Sequence, residues 1–354
     1  MRCSLAIPYA LRTRPRHNTP MNTTLNSRFS ERFDLRSPIA LAPMALASGG
    51  ALAAACARAG VLGLVGGGYG ELAWTQREYA LALAQAANAT GRIGCGFIVW
   101  KLDQDASALD WVLQHKPRAI MLSFGDPRPY AKRIAAAGAE LLFQVQRIEQ
   151  VPVALEAGAT VIIGQGGEAG GHGMNALNGR ATITLVPELA DWLAAHAPKT
   201  LLLAAGGIAD GRTLAAVRVL GADGAVVGSR LWATQESLAP DGAKQQAVAT
   251  SGDGTARSSV FDILRHKNWP APYDFRAIRN ALHRKWEGRL DAASAEEARA
   301  DYDAGVKAGD FSRAHATVGE AVGLIHDLPP AEQVIARMTA SARAILETRR
   351  ASHV

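Results

Sequence analysis

Residues 200–230 read TLLLAAGGIADGRTLAAVRVLGADGAVVGSR and hold one full unit of the fold. The run 201–205 is apolar without alternation and stops at Gly206-Gly207. An amphipathic stretch over 210–220 follows, then a second apolar run over 224–228 that stops at Gly228-Ser229. Strands buried on both faces read as unbroken apolar runs. Two of them around a helix predict a parallel βαβ unit. The same pattern recurs upstream in runs at 39–43, 62–66, 93–99, 119–123, 141–145 and 160–164. Between the runs, segments 71–87, 127–137, 147–157 and 186–196 are rich in Ala, Leu, Glu and Arg and read as helices. Eight such units predict an α/β TIM barrel. A doubly wound open sheet is the alternative, with fewer strands and a different glycine signature.

After Ser229 the pattern changes. Residues 236–330 contain no clear buried strand, and Ile278, Leu282 and Trp286 recur as a helical stripe. Ser294 followed by Glu297 has capping-box spacing before a further helix. Beyond Pro329-Pro330 another amphipathic helix, with Ile335, Met338, Ala342 and Ile345 on one face, can serve as the eighth outer helix. The expected organisation is a disordered tail over 1–30, a barrel from 31–235 plus 331–354, and a C-terminal helical substrate domain over 236–330.

Charge weakens a nucleic-acid reading. The net charge of the 354 residues is +6. Residues 1–36 supply most of it through Arg2, Arg12, Arg14, Arg16, Arg28, Arg32 and Arg36, against Glu31 and Asp34. The body of the chain is therefore close to neutral and lacks the basic face that nucleic acid needs. Met21 is a possible start, because periodic sequence begins only near Phe29. Cys3, Cys56 and Cys95 form no CxxC and read as reduced thiols of a cytoplasmic protein. Residues 39–57 carry no charge, but Pro43 and Gly49-Gly50 interrupt them, so a buried strand–loop–helix fits better than a membrane span.

A barrel keeps its active site at the C-terminal strand ends, and the loops after strands seven and eight commonly bind phosphate through backbone N–H groups. Gly206, Gly207, Gly228 and Ser229 fall at those two ends; they suit a phosphate, and the competing reading is that they only make tight turns. The end of strand six, QGGEAGGHG over 165–173, sets one imidazole among glycines. His172 there has little side-chain core to hold it, and an imidazole suits proton transfer or anion contact. Glu168 either touches substrate or orients the loop, and Trp100, after strand three, is a second candidate substrate contact. No GxxxxGK[ST], HExxH, GxSxG or zinc-spaced Cys/His set occurs, and 66–70 does not match GxGxxG in register.

Taken together, Ala42-Pro43-Met44, QGGEAGGHG, AAGGIADG at 204–211 and GADGAVVGSR at 221–230 resemble the nitronate monooxygenase family, also called 2-nitropropane dioxygenases. The resemblance spans roughly residues 35–350. It implies a barrel with a helical substrate domain, non-covalent FMN, and oxidation of alkyl nitronates by O2 to carbonyl compounds and nitrite. By that resemblance, Ala42, Pro43 and Met44 would lie by the flavin ring, and Gln165 and Gly170 would contact it. Gly206, Gly207, Gly228 and Ser229 would hold the phosphate, and His172 matches the catalytic histidine. The implied partners are a small-molecule substrate and O2, with no nucleic acid, membrane or metal. The family's flavin-contacting Asn after strand three is missing here, where the chain reads Gly96-Phe97-Ile98-Val99-Trp100. NAD(P)H-driven reductases of quinones or enoyl thioesters share the family's barrel and are an alternative. A barrel that binds a phosphorylated ligand without turnover is another.

Overall fold

The structure is a computed structural model that describes residues 25–290 and 294–351. Among them the strands are β1 (Ile39–Leu41), β2 (Gly63–Gly68), β3 (Ile93–Ile98), β4 (Ala119–Ser123), β5 (Glu140–Val145), β6 (Val161–Gln165), β7 (Gly171–Met174), β8 (Leu201–Ala205), β9 (Gly224–Val227), β10 (Thr255–Ser258) and β11 (Tyr273–Ile278). Eight of them form one parallel sheet in the order β1-β9-β8-β6-β5-β4-β3-β2. A bridge from Ala40 to Leu62 brings the two edges together, so the sheet closes into a TIM barrel. The eight apolar runs of the sequence are these eight strands.

Side chains alternate between two cores, as strand geometry dictates. Ile120, Leu122, Ile162, Leu202 and Ala204 point outward to the helices. Ala119, Met121, Val161, Ile163, Leu201 and Leu203 fill the barrel interior. Both sets are apolar, which is why no alternation shows in the sequence. The final helix, Ala331–Ala351, packs against the helices Gly211–Val219 and Gly50–Arg58 and so completes the outer ring.

The expected tail of residues 1–30 lies outside the described residues up to residue 24. Residues 25–30, however, are packed. A short helix, Arg28–Arg32, is capped by Ser27, and Phe29 and Phe33 enter the barrel-interior core, with Phe29 fully buried. Arg28 grips the buried Asp223 with two bonds of 2.9 and 2.7 Å. The plug was invisible in the sequence because Phe29 and Phe33 do not by themselves say which core they enter. Phe29→Ala should cost about 3–5 kcal/mol, the usual range for removing a buried phenylalanine. Urea unfolding of the flavin-free protein, read as a lower midpoint at constant slope, checks this.

Residues 236–330 also differ from the helical expectation. They contain helices, but β10 and β11 join β7 in a three-stranded antiparallel sheet of order β10-β11-β7. Ile278 sits at the end of β11, and only Leu282 and Trp286 lie on the following helix, Ala281–Trp286. The helical stripe was thus a coincidence of spacing across a strand–helix junction. Most of β10 and β11 is half-exposed, so neither reads as an apolar run. β7 lies inside the glycine-rich stretch after β6, and it places His172 opposite Phe275 and Gly171 opposite Arg276.

Candidate active site at the C-terminal strand ends

The strand ends open into a cavity of about 920 Å³, within the range of cofactor and substrate sites. Ala42, Pro43, Met44, Gln165, Glu168, Gly170, His172, Gly206, Gly207, Gly228 and Ser229 all line it, so segments from both ends of the barrel sequence meet there. Trp100 does not line it. It stands behind Trp269, edge to face at 5.4 Å, and Trp269 occupies the cavity wall instead.

Close backbone crossings shape the mouth. A Cβ on Gly96 would lie 2.2 Å from the Pro43 ring, so only glycine lets the 43–44 turn fold inward over β3. Gly170 is confined in the same way, because a Cβ would meet the Val318 carbonyl carbon at 2.5 Å where residues 318–319 cross the loop. Gly207 and Gly228 are different. A Cβ at either would find nothing nearer than 3.7 Å, an ordinary contact, so no neighbour crowds their backbone.

Gln165 ties the cavity floor to His172. Its Oε1 accepts from Gln146 Nε2 at 2.9 Å and from Gln144 Nε2 at 3.2 Å. With that oxygen engaged, its Nε2 donates to the His172 carbonyl at 3.2 Å. Glu168 is turned inward: its carboxylate accepts from Thr182 N–H and Thr182 Oγ1, both at 2.9 Å. Of the two readings open for Glu168, the loop-orienting one matches this geometry.

Two arginines from the added sheet complete the loop. Arg257 donates to the carbonyls of Ala169 at 2.7 Å and Gly171 at 3.1 Å, and Arg276 to that of Gly167 at 3.1 Å. Burial, reinforced by Arg276, pushes Arg257 down to about 10. These guanidiniums satisfy carbonyls that a glycine-rich loop cannot satisfy itself.

The His172 imidazole is buried, with its side chain 7% exposed. Its Nε2 meets both oxygens of Asp262, at 2.9 and 3.0 Å. Asp262 lies on the helix Val260–Leu264 and is itself 6% exposed. Trp269 stacks on the imidazole, with centroids 3.4 Å apart and planes 12° from parallel, and Phe275 lies 4.8 Å away. Trp269 is held in turn by its Nε1, which donates to the Tyr69 hydroxyl at 3.2 Å. Burial pushes His172 down to about 4, while Asp262 pulls the other way.

Sequence reasoning missed Asp262, Trp269, Arg257 and Arg276. A lone carboxylate inside the apolar stretch Val260–Leu264 was the available signal for Asp262. The arginines offered none, since their partners are distant in sequence: backbone carbonyls for Arg257, and for Arg276 the Gly167 carbonyl, the Thr255 hydroxyl and the Glu320 carboxylate. Among the described residues no helix is long and apolar enough to cross a membrane, and no His/Cys/Asp/Glu group could hold a metal ion. Cys56 and Cys95 are free and buried, and burial pushes both thiols upward.

A closed eight-stranded barrel with an imidazole and glycine-lined backbone at its C-terminal mouth defines a barrel enzyme with a preformed cofactor-sized site. The family model for nitronate monooxygenase matches residues 82–341. The chain is 32% identical to a nitronate monooxygenase of Neurospora crassa, over 91% of this chain and 92% of that protein. It is also 32% identical to the nitronate monooxygenase npaC of Metarhizium robertsii, over 88% and 92%. A FabK structure from Thermotoga maritima superposes with a TM-score of 0.77 at 26% identity, over 93% of this chain and 100% of that one. The chain belongs to the nitronate monooxygenase family, whose members are flavin-dependent oxidoreductases.

Proposed function

We propose that this protein oxidises alkyl nitronates, and the nitroalkanes that give rise to them, with O2 to carbonyl compounds and nitrite, using non-covalent FMN. The carrying observation is that His172 and the glycine ends of β8 and β9 line one cavity in a chain of this family. Backbone N–H groups at Gly206, Gly207, Gly228 and Ser229 would hold the phosphate, and the uncrowded backbone at Gly207 and Gly228 supports that use. Ala42, Pro43 and Met44 would flank the ring, with Gln165 and Gly170 beside it. When bound, FMN would supply the electron acceptor for the substrate and the site of O2 reduction. His172 would take the α-proton of a neutral nitroalkane or orient a nitronate.

Residues 236–330 act in this reading as the substrate-shaping part, since Leu264, Arg265, Trp269, Tyr302 and His315 line the outer cavity. The buried free thiols support a cytoplasmic setting. Purified protein should be yellow and release FMN on denaturation. Anaerobic mixing with ethyl nitronate should bleach it. Bleaching by NADH but not by the nitronate would replace this reading with a quinone or enoyl-thioester reductase. Protein that never carries flavin would leave only a phosphate-ligand-binding barrel.

A further inference from the structure

We propose that Asp262 is a positioning residue that holds His172 as the Nε2–H tautomer and so presents Nδ1 to the substrate as the base. The inference deepens the proposed function and rests on it. A carboxylate is acceptor-only, so a ring nitrogen within 3.0 Å of both its oxygens must carry the hydrogen. Among the described residues Nδ1 has no partner, and His172 lines the cavity, so the unprotonated nitrogen is the one left for chemistry. Trp269 packs flat on the ring and blocks rotation about the side chain.

The charges around the ring show why a carboxylate is needed. Arg265 and Arg257 both disfavour an imidazolium, and so does burial. Asp262 is the group that opposes them, by hydrogen bond and by charge. Proton transfer breaks the substrate's α-C–H bond and forms Nδ1–H. The C–H electron pair moves into the nitro group, giving the nitronate, and the new imidazolium charge is balanced by Asp262. No oxidant enters this step.

The arrangement also explains a feature of the fold. Asp262 and His172 are 90 residues apart. They meet only because β7 pairs with β11 and the helix Val260–Leu264 packs under that sheet. The added region therefore completes the catalytic group as well as walling the cavity.

The test uses flavin-loaded protein, with nitroethane and preformed ethyl nitronate as substrates. Asp262→Asn should lower kcat/KM for nitroethane by about 10²–10⁴-fold, as loss of tautomer control does in other base-dependent enzymes. Oxidation of ethyl nitronate, which is already deprotonated, should change by less than about tenfold. Asp262→Glu should recover part of the nitroethane rate. Nitrogen NMR of labelled His172 should show protonated Nε2 in the wild type and a tautomer mixture in Asp262→Asn. Equal losses on both substrates, an unchanged tautomer, or a wild type that oxidises the nitronate but never nitroethane would each overturn the proposal. A wild type inactive on both substrates would instead overturn the proposed function. The NMR result then still decides whether Asp262 sets the tautomer.

Discussion

Gly228→Asp should give a folded, colourless protein. Gly228 directly follows β9 and precedes the short helix Ser229–Trp232, with a φ of −99°, outside the left-handed region that favours glycine. A Cβ there would sit 3.7 Å from Ala42 Cβ and 3.8 Å from Met44 Sδ, which is ordinary contact. The substitution therefore adds a carboxylate without a clash. Like charge set against a bound phosphate costs roughly 3 kcal/mol or more, at least a hundredfold in affinity. Gly228→Ala is the control and should keep its flavin. Gly207 would be a poorer test, because its φ of +75° strains any side chain and would mix folding with binding. The measurements are the ratio of flavin to protein absorbance and the dissociation constant for added FMN. Full occupancy in Gly228→Asp would remove the phosphate from this site.

His172→Asn should separate the two substrate classes. The backbone at this position is held by β7–β11 pairing and by the bond from Gln165 Nε2 to the His172 carbonyl, neither of which the substitution touches. Flavin binding should survive. Oxidation of neutral nitroalkanes should fall by about 10²–10⁴-fold, the usual contribution of a general base. Preformed nitronates should lose less, because only positioning is affected. The pH dependence follows from the sign of the shift. Burial lowers the His172 pKa to about 4, so the basic form is present above that pH and is lost as pH falls through it. Wild-type activity on nitroalkanes should therefore decline toward pH 4, and the variant should lack that limb. Equal losses on both substrates would make His172 a binding group that takes no proton.

Much of the barrel was legible because its signals are local. Each strand is buried on both faces, so each appears as a short apolar run, and Gly206-Gly207 and Gly228-Ser229 directly follow β8 and β9. His172 stood out for the same reason, as an imidazole among glycines. The added region was harder. β10 is half-exposed along its length and offers no apolar run, whereas β11, the central strand of the small sheet, alternates Tyr273, Phe275 and Ala277 with Asp274 and Arg276, a short strand signal that the reading of this region as helical passed over. Trp100 was a reasonable candidate by position, yet Trp269 stands between it and the cavity. The tail boundary failed because Phe29 and Phe33 act as a plug, which is a property of the hole they fill.

The sequence by itself determined the eight-unit barrel, the end at which chemistry lies, and the imidazole and glycines that face it. All of these follow from burial and backbone freedom along contiguous residues. Only the tertiary structure decided which nitrogen of His172 is engaged, that Glu168 bonds Thr182, and that Trp269 covers the imidazole. Those are pairings between residues far apart in the chain. A buried polar group must find a partner, but its own neighbours in sequence do not say where that partner comes from.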